Sequence, residues 1–124
     1  YKLELYRRFA GLDYGEKDDL LDEIIDRFGE PPEEVEVLWR VACLRALCRL
    51  LHIRGISVKP GELRITFAEN AAIEPNALMQ LISEQQQYMN FKSGVQAQLI
   101  FRTVKLKTDS LTWLEKNLPR LAFD

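Results

Sequence analysis

Up to about residue 52 the apolar residues recur at helical spacing, and from Ile56 they alternate with polar ones, so a helical N-terminal part must give way to strands. Leu3, Tyr6 and Ala10 fit a short first helix over residues 2–12, with Gly11 suited to its end. A second helix is predicted from Asp18 to Phe28, with Leu20, Leu21, Ile24, Ile25 and Phe28 as its apolar stripe and Gly29 as its stop. Pro31 and Pro32 suit the start of a third, where N–H groups have no intrahelical partner, and Glu33 and Glu34 complement the helix dipole there. This long helix should reach His52. Leu44, Leu47 and Leu51 share one side and Arg45, Arg49 and His52 the opposite one, while Val35, Leu38, Trp39 and Ala42 face elsewhere, so the helix should meet core on more than one side.

In the second half Leu63, Ile65 and Phe67 alternate with Arg64, Thr66 and Ala68, and Ile56 and Val58 read as the partner strand. Lys59-Pro60-Gly61-Glu62 has proline and glycine where a type II turn wants them. That turn's twist suits a two-residue hairpin less well than its mirror forms, which leaves a longer loop open. Pro75 opens a helix carrying Leu78, Leu81 and Ile82 to about Gln85. A second strand pair, Tyr88 to Phe91 and Val95 to Val104, should turn at Ser93-Gly94 with Val95, Ala97, Leu99 and Phe101 on one face. The last helix is predicted from Asp109 or Ser110, with Leu111, Leu114 and Leu118 on a stripe that Pro119 limits. The fold class is therefore α+β: a helical N-terminal part followed by two strand-strand-helix units that form a small, largely antiparallel sheet. A length of 124 residues suits a single domain over 1–124. Because Lys2 to Gly11 already reads as a helix under way, the chain is expected to be cut from a larger multidomain protein.

Little in the sequence points to catalysis. No G-x-x-x-x-G-K-[ST] or G-x-G-x-x-G stretch is available to cradle a nucleotide phosphate, so no nucleotide cofactor and no ATPase activity are expected of this chain. His52 is the single histidine and has no recognisable nucleophile or metal partner. Cys43 and Cys48 point about 140° apart on one helix, which disfavours a shared metal or a disulfide and suits small buried hydrophobes in a reducing compartment. Trp39 and Trp113 read as core or interface anchors. With 47% hydrophobic and 29% charged residues the chain should fold, and a formal net charge of −2 provides no general attraction for phosphate. Arg40, Arg45, Arg49 and Arg54 form a local exception, read first as a solvated or ion-paired face. The absence of a long apolar run or a leader-like start leads us to expect a cytoplasmic chain without a membrane partner. The informative element is the second helix, where Asp19, Asp22, Glu23, Asp26 and Arg27 fall opposite the apolar stripe. Such a face is usually just solvated; as a binding surface it would repel DNA and attract an arginine-bearing protein.

Glu4-Leu5-Tyr6-Arg7-Arg8, then Asp26-Arg27-Phe28-Gly29 and Pro32, resemble the C-terminal domain of the bacterial transcription-repair coupling factors. The resemblance continues through VACLRALCRLLHIRGI, ITFAENAAIEPNALMQLI and TWLEKNLPRL, and so covers nearly the whole chain. It implies a non-enzymatic regulatory domain of a DNA repair translocase that engages stalled RNA polymerase, moves on DNA and recruits UvrA. ATP and Mg would serve the upstream motor, with no cofactor in this chain. The domain would dock on the N-terminal UvrB-like module of the same protein, masking its UvrA-binding surface and restraining the motor. The family's contact residues carry over to Glu23, Asp26 and Arg27, which the spacing i, i+3, i+4 also places on one helix face, with Asp22 and Asp19 at the rim. The alternative is a nucleic-acid-binding accessory module using Arg40, Arg45 and Arg49 of the third helix.

Overall fold

Residues 2–12 offer a helix two apolar lines, Leu3–Tyr6–Ala10 and Leu5–Phe9–Leu12, and the fold uses the second. The computed structural model describes residues 2–123, apart from the side chains of Lys2 and Lys105. Helix α1 spans Lys2–Ala10. It buries Leu5 and Phe9, with Leu12 buried just beyond it, and leaves Leu3 63% and Tyr6 47% exposed. Two leucines and a phenylalanine carry more apolar area than Leu3, Tyr6 and Ala10, and each Å² removed from water contributes about 25 cal/mol. This choice also leaves Tyr6 partly at the surface and turns Glu4 and Arg8 toward the next helix.

The chain forms two compact units, Tyr1–Leu47 and Cys48–Asp124. In the first, a short 3-10 turn at Tyr14–Glu16 leads into α2, Lys17–Phe28, and α3 follows over Glu33–Leu51, its last turn belonging to the second unit. Gly29 ends α2 with φ 80, and its N–H donates to the Ile25 carbonyl at 2.8 Å. The core of this unit joins Leu5, Phe9, Leu12, Leu20, Ile24, Val35, Ala42, Cys43 and Ala46, with Tyr14 and Trp39 packed at its border. Trp39 Nε1–H donates to the Lys17 carbonyl at 2.9 Å, and the Lys17 ammonium lies 5.6 Å from the Tyr14 ring centroid and 5.9 Å from that of Trp39. Those contacts fix the start of α2. Leu20 and Ile24 are its buried positions, and Phe28, placed on the stripe by spacing, is 40% exposed.

The second unit holds β1 (Ile53–Lys59), β2 (Glu62–Phe67), α4 (Pro75–Glu84), β3 (Met89–Lys92), β4 (Gln98–Arg102) and α5 (Ser110–Asn117). The order of two strand-strand-helix units is the expected one, and the strands form one antiparallel sheet in the order β1-β2-β4-β3. Lys59 pairs with Glu62, so the first hairpin turns through only Pro60 and Gly61, the latter at φ 80 as a type II turn requires. An irregularity between Ile53 and Gly55 bulges the outer strand β1. Strand β4 is shorter than its alternation predicts. Phe67 N–H donates to Ala97 O and the next N–H, that of Ala68, turns away to His52 O. The β2–β4 register thus ends at Thr66–Gln98 with one further bond to Ala97 O, and Val95 is 75% exposed.

One row of the sheet, including Leu63, Ile65, Phe67, Leu99 and Phe101, joins Leu81, Leu114, Leu118 and Leu121 in the core. The alternate row is polar apart from Ile100, with Arg64 donating to Gln98 Oε1 and to the Glu62 carboxylate at 3.3 Å each. Both later helices have side-chain caps: Glu74 accepts from Ala77 N–H and Asp109 from Thr112 N–H, each at 2.7 Å. Among the described residues no helix is long and apolar enough to cross a membrane.

Candidate functional site

The outward face of α2 follows from its amphipathic sequence: once Leu20 and Ile24 enter the core, the intervening acids must face water. Asp19, Asp22, Asp26 and Arg27 are exposed and Glu23 is half-exposed. Asp18 and Asp19 lie in the first turn and Arg27 in the last, the order that the helix dipole favours. Farther along, Asp19 and Glu23, and Asp22 and Asp26, place like charges one turn apart. Such i, i+4 pairs are unfavourable by roughly 0.2–0.5 kcal/mol each.

The five expected docking residues are in one patch, but they are not equivalent. Arg8 of α1 donates to Glu23. Arg27 donates to Glu4 of α1 at 3.1 Å. Glu4 and Arg8 are themselves one turn apart and meet Arg27 and Glu23 in reverse order, the matching produced by antiparallel helices. The hydrogen bond from Arg8 holds the Glu23 carboxyl below the usual carboxylate range. The Arg27 guanidinium also lies 5.0 Å from the Phe28 ring centroid. Asp19, Asp22 and Asp26 have no hydrogen-bonding side chain opposite them among the described residues. Sequence reasoning missed the part of α1 in this arrangement, although the i, i+4 spacing of Glu4 and Arg8 was there to be matched with Glu23 and Arg27.

Beside the clasp lies a groove of about 310 Å³ whose walls include Asp13, Glu16, Asp19 and Glu23, with Arg8 at one side and Leu12 and Leu20 beneath. Its acceptor oxygens suit a guanidinium or ammonium group; nothing in it acts as a nucleophile. Elsewhere, burial pushes the Cys48 thiol up to about 11, with Arg49 opposing only in part, so it is un-ionised at neutral pH. His52, Arg45, Arg49 and Arg54 are exposed and Arg40 is half-buried. Among the described residues no group of three or more His, Cys, Asp or Glu side chains is placed to hold a metal.

Comparison with known proteins adds a family to this geometry. The model of the TRCF domain family matches residues 1–78, a span that contains α1, the whole α2 face and the first hairpin. The transcription-repair-coupling factor of Bacillus subtilis (strain 168) is 38% identical over 74 residues, 59% of this chain and 6% of that protein. That of Myxococcus xanthus is 34% identical over 74 residues, again 59% and 6%. In the protein of Haemophilus influenzae the match is 32% over 85 residues, covering 68% of this chain and 7% of the relative. The chain thus spans only 6 to 7% of the length of these relatives. A crystal structure of the C-terminal domain of transcription-repair coupling factor aligns at a TM-score of 0.71 and 21% identity, covering 97% of this chain and 80% of the other, so the two share a fold.

Proposed function

Because the chain belongs to the TRCF domain family, we propose that it is a non-catalytic, autoinhibitory interaction domain of a cytoplasmic transcription-coupled repair translocase. It docks through α2 on the UvrB-like N-terminal module of its parent, masks the UvrA-binding surface there and restrains the motor. The observation that carries this reading is the exposed row Asp19, Asp22 and Asp26, like charges kept together on a well-packed helix although their mutual repulsion disfavours it. An arginine-bearing partner relieves that repulsion. Glu23 and Arg27 enter the interface differently, as side chains already oriented by Arg8 and Glu4, so less rotamer freedom is lost on docking. A polar interface of this kind gives orientation more than affinity, which suits a clamp that must open when RNA polymerase engages the parent. DNA translocation, with its ATP and Mg, belongs to the upstream motor.

The test is UvrA affinity measured with the full-length parent, with a version lacking this domain, and with α2 variants. Asp22→Lys with Asp26→Lys leaves the α1–α2 clasp intact, whereas reversing Glu23, Asp26 and Arg27 together breaks it. The proposal expects deletion and both reversals to strengthen UvrA binding. Strengthening by deletion alone keeps the masking role and discards the α2 face. No change from any of them removes the masking role and turns attention to DNA binding by Arg40, Arg45 and Arg49.

A further inference from the structure

The second unit carries a concavity of the opposite chemistry. A groove of about 470 Å³ lies between the end of α4, the end of β4 and α5. Phe101 and Trp113 form its floor, both buried, with ring centroids 4.7 Å apart. The rim is cationic. Lys107 and Lys116 are exposed, and among the described residues neither meets a carboxylate. Arg102 donates to the Gln87 carbonyl at 2.6 Å, a neutral partner that leaves its charge uncancelled. The groove's carboxylate, Glu84, is already matched: Arg120 donates to its two oxygens at 3.0 and 2.7 Å. Arg120 is fixed in turn by the Asn117 side-chain oxygen at 3.0 Å, and buried Asn117 donates to the Trp113 carbonyl at 2.9 Å. Three uncompensated cations therefore ring an apolar floor in a chain whose net charge is −2.

We infer that this groove binds an acidic peptide segment of a protein partner, with one apolar side chain against the half-buried Tyr88 and Leu106, which line it with Phe101 and Trp113, and carboxylates on either side meeting Arg102, Lys107 and Lys116. Charge complementarity identifies the occupant, and the volume falls in the range of clefts that take side-chain-sized groups. Single-stranded nucleic acid fits less well. Its bases need open aromatic faces to stack on, and Phe101 and Trp113 are only 4% and 7% exposed. A phosphate backbone laid over this floor would also lose water against hydrocarbon. The inference does not depend on α2 docking.

The experiment titrates the isotope-labelled chain with a blocked pentapeptide, one phenylalanine flanked by two glutamates on each side, and follows the Trp113 indole N–H and the backbone of residues 102–117 by NMR. Saturable shifts confined to that region are expected. Lys107→Glu with Lys116→Glu should weaken binding about tenfold, and the two Lys→Gln changes by a smaller factor. Both lysines are exposed, so the fold should survive, and the spectrum itself reports whether it does. Three results would each overturn the inference: no saturable shift at millimolar peptide, equal binding of the peptide with glutamines in place of glutamates, or tighter binding of oligothymidylate at the same resonances.

Discussion

His52 ends α3 in the left-handed region, at φ 58, where glycine is the usual occupant. Its N–H donates to Arg49 O and its carbonyl accepts from Ala68 N–H, so the conformation is held by its neighbours. A side chain in that region costs roughly 1–2 kcal/mol, less the extra chain entropy that glycine loses on folding. His52→Gly should accordingly raise the unfolding free energy by about 0.5–1 kcal/mol, read from the urea midpoint; a drop would mean that the imidazole contributes more than its strain. The opposite substitution at Gly61, at φ 80 in the β1–β2 turn, has no compensation, and Gly61→Ala should lower stability by about 1 kcal/mol in the same assay. At this scale the sequence was half legible. Spacing located the helix end at His52 and glycine marked the turn, but backbone sign at a histidine leaves no trace in hydrophobic periodicity.

Among the elements, α1 shows where periodicity runs out. Leu3–Tyr6–Ala10 and Leu5–Phe9–Leu12 both satisfy helical spacing, and the choice depends on what a neighbouring helix can cover. Phe9→Ala should cost about 3–5 kcal/mol and Leu5→Ala about 2–5, while Leu3→Ala stays within about 0.5 kcal/mol; equal effects in thermal unfolding would mean that α1 buries both lines. For α2, α4 and α5 a single strong stripe, or a capping residue at a visible position, made the element readable. For β4 it was not enough, because the last rung of the ladder is fixed by where β2 stops. The candidate site divides in the same way. The acidic face of α2 followed from amphipathicity, whereas the clasp of Glu23 and Arg27 by α1 is a tertiary match between two i, i+4 pairs far apart in sequence.

Taken whole, a net charge of −2 conceals two grooves of opposite character, one walled by carboxylates and one rimmed by cations, which a charge count averages away. Each unit also has its own carboxylate held by an arginine, Glu23 by Arg8 and Glu84 by Arg120, and in both the hydrogen bond lowers the carboxyl pKa. A lowered folded value means that the contribution to stability is present above the ordinary carboxylate range and is lost as pH falls through the folded pKa. Glu23→Gln with Glu84→Gln should therefore narrow the gap between urea midpoints at neutral and acid pH, and an unchanged gap would assign acid sensitivity to other carboxylates. The strand order has a further effect at high concentration. Sheet edges are where one molecule can add its ladder to another's. Here one edge, β1, is kinked by its bulge and carries exposed Arg54 and Lys59, and the other, β3, is four residues long and ends at exposed Lys92. Stacking copies edge to edge would have to straighten the first or bring lysines together along the second, so the ladder that builds this sheet is poorly suited to extend into a fibre.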